Sequence, residues 1–252
     1  MPNATIIAMT RVRNEGDVMT DSLDALAQFA DGIVVFDDCS TDDTVDQALA
    51  HPSVVAVVRN RRWRRRLRIW EETAHRSLLY RIARRYRPEW VFYADADERT
   101  VGDVRTTLLA QPAEIDAMRV QLFDAYMTPE DHAPFRRGDQ LLNFRSSFGP
   151  ERRNILVAWR TSSPAAFRLP DAREPQGIDE RRIAIGLPCQ HFGKAMSVEQ
   201  WEQTCRYYID NFPELYQERW RARIGKALHT VSDFDRPLVA WDEVLSKAVD
   251  LS

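Results

Sequence analysis

Short apolar runs rich in β-branched residues alternate with helical patterns through the first hundred residues, and no other feature restricts the fold as much. Thr5 to Met9 (TIIAM) reads as a buried strand, followed by a polar loop with Gly16. Met19, Leu23, Leu26, Ala27 and Ala30 then recur at helical spacing and predict a helix over Asp17 to Ala30. Gly32 to Phe36 (GIVVF) is a second apolar run, stopped by two aspartates. Ser40 with Asp43 resembles a capping box for a helix carrying Val45, Ala48 and Leu49, which His51-Pro52 ends. Val54 to Val58 predicts a third strand, Ile69, Ala74, Leu78 and Ile82 a long helix, and Trp90-Val91-Phe92-Tyr93 a fourth strand. Continuous apolar runs mean strands covered on both faces. The expected class is therefore α/β, a mainly parallel sheet flanked by helices with right-handed crossovers.

Ligands of such sheets bind beyond the carboxyl ends of the strands. Arg11 to Glu15, Asp37 to Asp42, Arg59 onward and Asp95 to Glu98 are thus expected to meet at one edge. Later strands are predicted over Ala117 to Asp124 and Ile155 to Trp159, with loops over Pro129 to Pro150 and Ser162 to Gly177. A helical C-terminal part begins with Trp201 to Tyr208. With no repeat, low-complexity tract or linker, the 252 residues are expected to form one domain, 1–252.

Cys39, Cys189 and Cys205 form neither a CxxC pair nor an even framework, which predicts reduced thiols, no disulfide and no zinc site. MPNATIIAMTRVRNEG has no leader-like apolar core, and no run nears the roughly 18 apolar residues of a membrane span. A soluble, cytoplasmic protein is expected. The net charge is −3, yet all positive side chains except Lys194, Lys226 and Lys247 are arginines. Seven of the ten residues Arg59 to Arg68 are arginine, and from Arg59 to Pro88 only Glu71 and Glu72 oppose them. Such a run suits a loop closing over a diphosphate, a site for an acidic acceptor, or peripheral contact with the anionic inner face of a membrane. The plain alternative is a solvated run. Trp63 and Trp70 within it could sit at a membrane interface or stack on a sugar.

Asp95 and Asp97 lie two apart after a strand, so the pleat aims both carboxylates the same way. Such a pair suits Mg²⁺ or Mn²⁺, which take one or two protein carboxylates and complete their shell with water and substrate phosphates. Asp37 or Asp38 can accept from a base N–H or a ribose hydroxyl, while Ser40, Asp42 and Asp43 read as cap and turn residues.

Strand, then Arg13-Asn14-Glu15-Gly16; strand, then Phe36-Asp37-Asp38-Cys39-Ser40-Thr41-Asp42-Asp43-Thr44; then Trp90-Val91-Phe92-Tyr93-Ala94-Asp95-Ala96-Asp97-Glu98: in this order and spacing the motifs resemble family-two glycosyltransferases of the GT-A fold. The resemblance covers residues 1–100 well and the remainder loosely. It implies a nucleotide-sugar donor, UDP-sugar favoured, bound by residues 1–100, with an acceptor side and C-terminal helices in 101–252. Arg13, Asn14 and Glu15 would then lie near the nucleotide, Asp38 or Asp37 at the base, Asp95 at the ribose or diphosphate, and Asp97 at the metal. His191, after the run Ile183 to Leu187, occupies the place of a late histidine that completes the metal shell together with Asp95 and Asp97; imidazole favours manganese. Arg76 is a candidate for the phosphates. An inverting transfer needs a carboxylate base. The usual Glu-Asp pair is missing, and Glu174 and then Asp179 are the residues in the right part of the chain, near Asp171 and Glu180.

The implied activity is a single sugar addition, of the kind used in bacterial cell-surface glycan assembly, to a glycan or glycolipid acceptor that the residues do not specify. Three rivals remain. A haloacid-dehalogenase-type phosphatase wants its DxD on the first strand, whereas DADER comes late. An arginine-rich nucleic-acid-binding protein leaves the acidic strand-end loops unexplained, so no nucleic acid is expected. A catalytically inactive nucleotide-binding relative would carry the same motifs.

Overall fold

The computed structural model describes residues 4–63, 68–170 and 172–251. Strands and helices alternate first as β1 (Ile6–Val12), α1 (Met19–Ala27), β2 (Gly32–Asp38), α2 (Thr44–Ala50), β3 (Val54–Asn60), α3 (Ile69–Ala83) and β4 (Trp90–Tyr93). The chain continues through β5 (Glu98–Thr100), α4 (Val104–Leu109), β6 (Ala117–Asp124), β7 (Ser147–Phe148), β8 (Glu151–Arg160) and β9 (Ile183–His191). It ends with α5 (Val198–Asn211), α6 (Glu214–Arg221), β10 (Val239–Ala240) and β11 (Val249–Asp250).

The main sheet runs β3-β2-β1-β4-β8-β6-β9-β5, with β11 beside β8. β3, β2, β1 and β4 are parallel, as the helical crossovers require. β8 is antiparallel to β4 and to β6, β9 parallel to β6, and β5 antiparallel to β9. The sheet is thus a mainly parallel α/β sheet, with helices packed on it, and strands from beyond residue 100 extend it past β4.

Alternate residues of the central strands feed two apolar clusters, because successive side chains leave opposite faces of a sheet. Ile6, Ala8, Ile33, Val35, Trp90 and Phe92 join Leu23 and Leu26 of α1. Ile7, Met9, Val34, Phe36, Val91 and Tyr93 join Leu79, Tyr80 and Ala83 of α3. All twelve strand residues are buried, which is why their runs read as continuous rather than alternating.

Several boundaries differ from expectation. β1 reaches Val12 and β2 reaches Asp38, since Val12 pairs with Asp37 and Asp38 with Asn60 at the end of the ladder. Asp37 and Asp38 are therefore strand residues. Ser40 is no helix cap: its Oγ accepts from Asn14 N at 2.9 Å, while Asp43 takes the N-cap position without a side-chain cap bond. β8 runs from Glu151 because β11 pairs with Glu151 and Arg152, β6 with the stretch from Arg153 to Trp159, and β4 with its end. Ser197 does cap α5, accepting from Gln200 N. The three cysteines are free thiols. Among the described residues no helix is long and apolar enough to cross a membrane.

Candidate functional site

β1 ends where α3, the turn after β4 and helix α5 converge, and these elements wall a cleft of about 590 Å³. Arg11, Arg13, Asn14 and Glu15 enter it from β1 and its loop, Glu72 and Arg76 from α3, and Asp95, Ala96 and Asp97 from the turn. Asp124 at the end of β6, Arg153 of β8, and His191, Gly193 and Lys194 at the end of β9 form its middle. α5, α6 and Asp233 close the far end. Of the residues expected at the site, Arg13, Asn14, Glu15, Arg76, Asp95, Asp97 and His191 line this cleft.

Asp37, Asp38, Glu174 and Asp179 do not. Asp38 is fully buried and accepts from Arg11 Nη2 at 2.6 Å, Asn60 Nδ2 at 2.9 Å and Arg68 Nη2. Burial alone would raise its pKa, but Arg11, Arg68 and Asn60 outweigh burial and hold it at about 2. Its oxygens thus already have partners inside the protein. Asp37 is 1% exposed and accepts from Ser40 N at 3.0 Å. Glu174 accepts from Arg119 Nη1 at 2.7 Å and Leu156 N at 3.0 Å on the β6–β8 surface. Asp179 caps the short 3₁₀ turn Glu180–Arg182 and pairs with Arg181. Both carboxylates expected to act as base thus have local partners and lie away from the cleft lining. Asp171 lies outside the described residues.

Arg68 belongs to the same buried network, paired with Glu71 as well as Asp38, so the end of the arginine run is interior rather than solvated. Two guanidinium groups stack on Trp63, Arg13 at 3.6 Å and Arg68 at 4.1 Å from its ring centroid. It packs on the protein and is half-buried. Trp70 is 59% exposed. Arg64, Arg65 and Arg66 lie outside the described residues.

Arg13 also donates to the carbonyls of Asp38 and Cys39, tying the first two loops together. Asn14 and Cys39 have φ of 54° and 62°, a left-handed backbone that asparagine tolerates better than most residues. Asn14 Oδ1 accepts from Thr41 N at 2.8 Å. The Glu15 carboxyl has its pKa raised well above the usual range, by burial first and then by Asp97, Asp95 and Asp42. Arg76 already has three partners: Tyr93 Oη, Ala172 O and Glu72.

The turn after β4 separates its two aspartates. Asp95 accepts from Tyr93 Oη at 2.9 Å and pairs with Arg173 at 3.4 Å, which overcomes burial and lowers its pKa. Asp97 faces His191, with Oδ2 3.5 Å from Nε2. The other ring nitrogen, Nδ1, is 2.6 Å from Asp124 Oδ1. Burial disfavours the His191 cation, but Asp97 and Asp124 outweigh burial and raise its pKa to about 10.

The expected three-ligand set is therefore not assembled: among the described residues no group of three or more His, Cys, Asp or Glu side chains is arranged to hold a metal. Two of the three, Asp97 and His191, still fit a divalent ion. Asp124 occupies Nδ1 and leaves Nε2 toward Asp97, an arrangement that orients metal-binding histidines. A Cβ at Gly193 would lie 2.8 Å from His191 Nε2 and 2.9 Å from Asp97 Oδ2, so only glycine leaves that space open. Two protein ligands suffice where phosphates and water supply the rest.

Residues that sequence reasoning missed include Glu72, Asp124, Arg153, Lys194 and Asp233. Asp124 had a signal: it ends a strand with an acid, as the earlier motifs do. The others are assembled by the fold from distant segments.

No protein-family model matches the chain. Uncharacterized protein Rv3786c of Mycobacterium tuberculosis is 40% identical over 133 residues, 50% of this chain. Uncharacterized protein Mb3815c of Mycobacterium bovis matches equally. Among solved structures, S. aureus TarS is similar at a TM-score of 0.48 with 14% identity, covering 87% of this chain. Residues 1–349 of TarS in complex with UDP give 0.46 at 14% identity, covering 87% of this chain and 70% of that one. Glucosyl-3-phosphoglycerate synthase from Mycobacterium tuberculosis, in complex with Mn²⁺, UDP and phosphoglyceric acid, gives 0.34 at 18% identity over 48% of this chain and 44% of that one. The chain spans 31% of the length of the curated relatives it matches and 42% of the full TarS chain.

Proposed function

We propose that this protein is a metal-assisted glycosyltransferase that moves a sugar from a nucleotide-diphosphate sugar, UDP-sugar favoured, to an acceptor hydroxyl. One observation carries the reading: the first loop and the DxD turn, two of the three motifs that resemble family-two enzymes, line one cleft, with His191 facing Asp97. Arg13, Asn14 and Glu15 are the donor-binding side of this reading, and Asp97 and His191 would hold Mn²⁺ or Mg²⁺. When bound, the ion offsets charge that builds on the diphosphate leaving group. Arg11 and Arg76 line the same end of the cleft, each paired with Glu72.

A single addition with inversion is the course we favour. It needs a carboxylate near the attacking hydroxyl, and Asp233, at the α5–α6 end and kept ionised by Lys194 and Arg223, is the cleft residue for that role. Asp233→Asn is expected to lower turnover about 10²-fold or more while nucleotide binding persists; unchanged turnover removes Asp233 from the role. We also read the 252 residues as one folding unit and place the activity on the cytoplasmic side of the membrane.

The first test is thermal stabilisation by UDP, GDP, dTDP and CDP with Mn²⁺, Mg²⁺ or chelator, on the wild type and Asp97→Ala. A ligand at 100 times its Kd stabilises by about 2.7 kcal/mol, a shift of a few degrees. A metal-dependent shift with UDP that Asp97→Ala loses is expected. No shift with any nucleotide would refute the donor reading.

A further inference from the structure

The far end of the cleft is built by helix faces of unusual chemistry. On α5, Gln200, Gln203, Thr204, Tyr207 and Tyr208 face the cleft at helical spacing, while Trp201 and Cys205 are the buried residues of this helix. On α6 and just beyond it, Tyr216, Arg219, Trp220 and Arg223 do the same. Tyr208 and Trp220 stack at 4.3 Å and 4°, locking the two faces together. Amides, a hydroxyl and phenols at one wall suit a ligand rich in hydroxyl groups.

The charge at this end is not balanced. Two cations, Arg219 and Arg223, share it with one acid, Asp233, and the adjoining middle of the cleft adds Arg153 and Lys194 against Asp124. Both acids are already engaged: Arg153 and Lys194 pair with Asp124, and Lys194 and Arg223 with Asp233. The Arg219 guanidinium is exposed and has no ion-pair or hydrogen-bond partner among the described residues. An arginine held at a cleft wall without a counter-ion is a fork for phosphate or carboxylate.

We infer that the α5–α6 end of the cleft is the acceptor subsite and takes a polyhydroxylated acceptor bearing an anionic group, with Arg219 as its anchor. The word acceptor rests on the glycosyltransferase reading; the anion subsite does not. Arg221 provides the control. It is also exposed and on α6, but donates to Gln217 and does not line the cleft.

The test measures binding of glycerol 1-phosphate, glucuronate, glycerol and glucose to the full chain at constant ionic strength, alongside UDP with Mn²⁺. Wild type, Arg219→Gln and Arg221→Gln are compared. The anionic probes are expected to bind more tightly than the neutral ones. Arg219→Gln should weaken them about tenfold, the worth of one charge-assisted hydrogen bond, and Arg221→Gln should not. Binding of glycerol 1-phosphate but not glucuronate would identify a phosphate ester, and binding of both a general anion. Equal binding of neutral and anionic probes, equal loss in both variants, or no binding of any probe would overturn the inference. If UDP binds and the anions do not, the subsite falls and the donor reading stands. If the anions bind through Arg219 and no nucleotide does, the subsite stands and the donor reading falls.

Discussion

His75 stacks on Phe36 with ring centroids 4.1 Å apart, and its Nδ1 lies 3.8 Å from the buried Asp38 carboxylate. Burial lowers its pKa to about 4, Asp38 opposing this while Arg11 and Arg68 add to it. A base with a depressed folded pKa is protonated in the unfolded chain first. Its stabilisation is therefore complete above the ordinary value of 6.5 and is lost as pH falls toward 4. The loss is on the order of 3 kcal/mol. Asp38, at about 2, contributes only to losses below the ordinary 3.8, outside that window. The urea midpoint of the wild type should fall between pH 7 and pH 4.5 by more than that of His75→Asn; parallel declines would show that His75 is not the group responsible. This residue also marks what the sequence cannot announce. Asp37-Asp38 was legible as an acidic strand end, but the arginine that buries Asp38 stands thirty residues away. No local pattern says whether a carboxylate will meet a ligand or an internal guanidinium.

The turn bearing Asp95 and Asp97 shows how elements, rather than single residues, hold a site. Residues 98 and 99 leave β5 on opposite faces. Glu98 accepts from Arg173 through both oxygens at 2.6 Å and from Asp95 N at 3.2 Å. Arg99 donates to the Ala96 and Glu98 carbonyls and pairs with Asp21 of α1. The Asp97 carbonyl accepts from Phe192 N, which follows β9. The pairing of Glu98 with His191 across β5 and β9 sets the register that brings Asp97 and His191 together. The strand before this turn was legible because WVFY is apolar throughout, and β6 because Ala117 to Asp124 keeps its apolar residues. β5 was not legible: ERT has no apolar residue, and it is a strand only because β9 offers it a ladder. The face of α5 was hidden for a related reason. Its cleft side repeats at helical spacing but in amides and phenols, which a search for apolar periodicity passes over.

At the scale of the molecule, the sheet crosses the division that the motifs suggest near residue 100. β4, the last strand of the motif-bearing part, pairs on one side with β1 and on the other with β8. Trp159 of β8 is fully buried and meets the Tyr80 ring of α3 edge-on at 5.5 Å. Leu156 and Trp159 stand in the same apolar cluster as Ile7, Val34 and Val91. Removing residues beyond 100 would expose one edge of β4 and strip that cluster of a large aromatic side chain, whose deletion alone costs about 3–5 kcal/mol. That is a large fraction of the about 5–15 kcal/mol net stability of a typical domain. Neither part is then expected to be stable without the other, and unfolding should be a single event. Tryptophan fluorescence reports on Trp90 and Trp159 in the shared sheet and on the buried Trp201 of α5, whereas far-ultraviolet dichroism follows all helices. The two transitions in urea are expected to coincide, and Trp159→Ala should lower both midpoints together. A fluorescence transition that precedes the loss of helix, or a fragment of residues 1–110 that folds alone, would show instead that the motif-bearing part is a separate unit to which the remaining strands are appended.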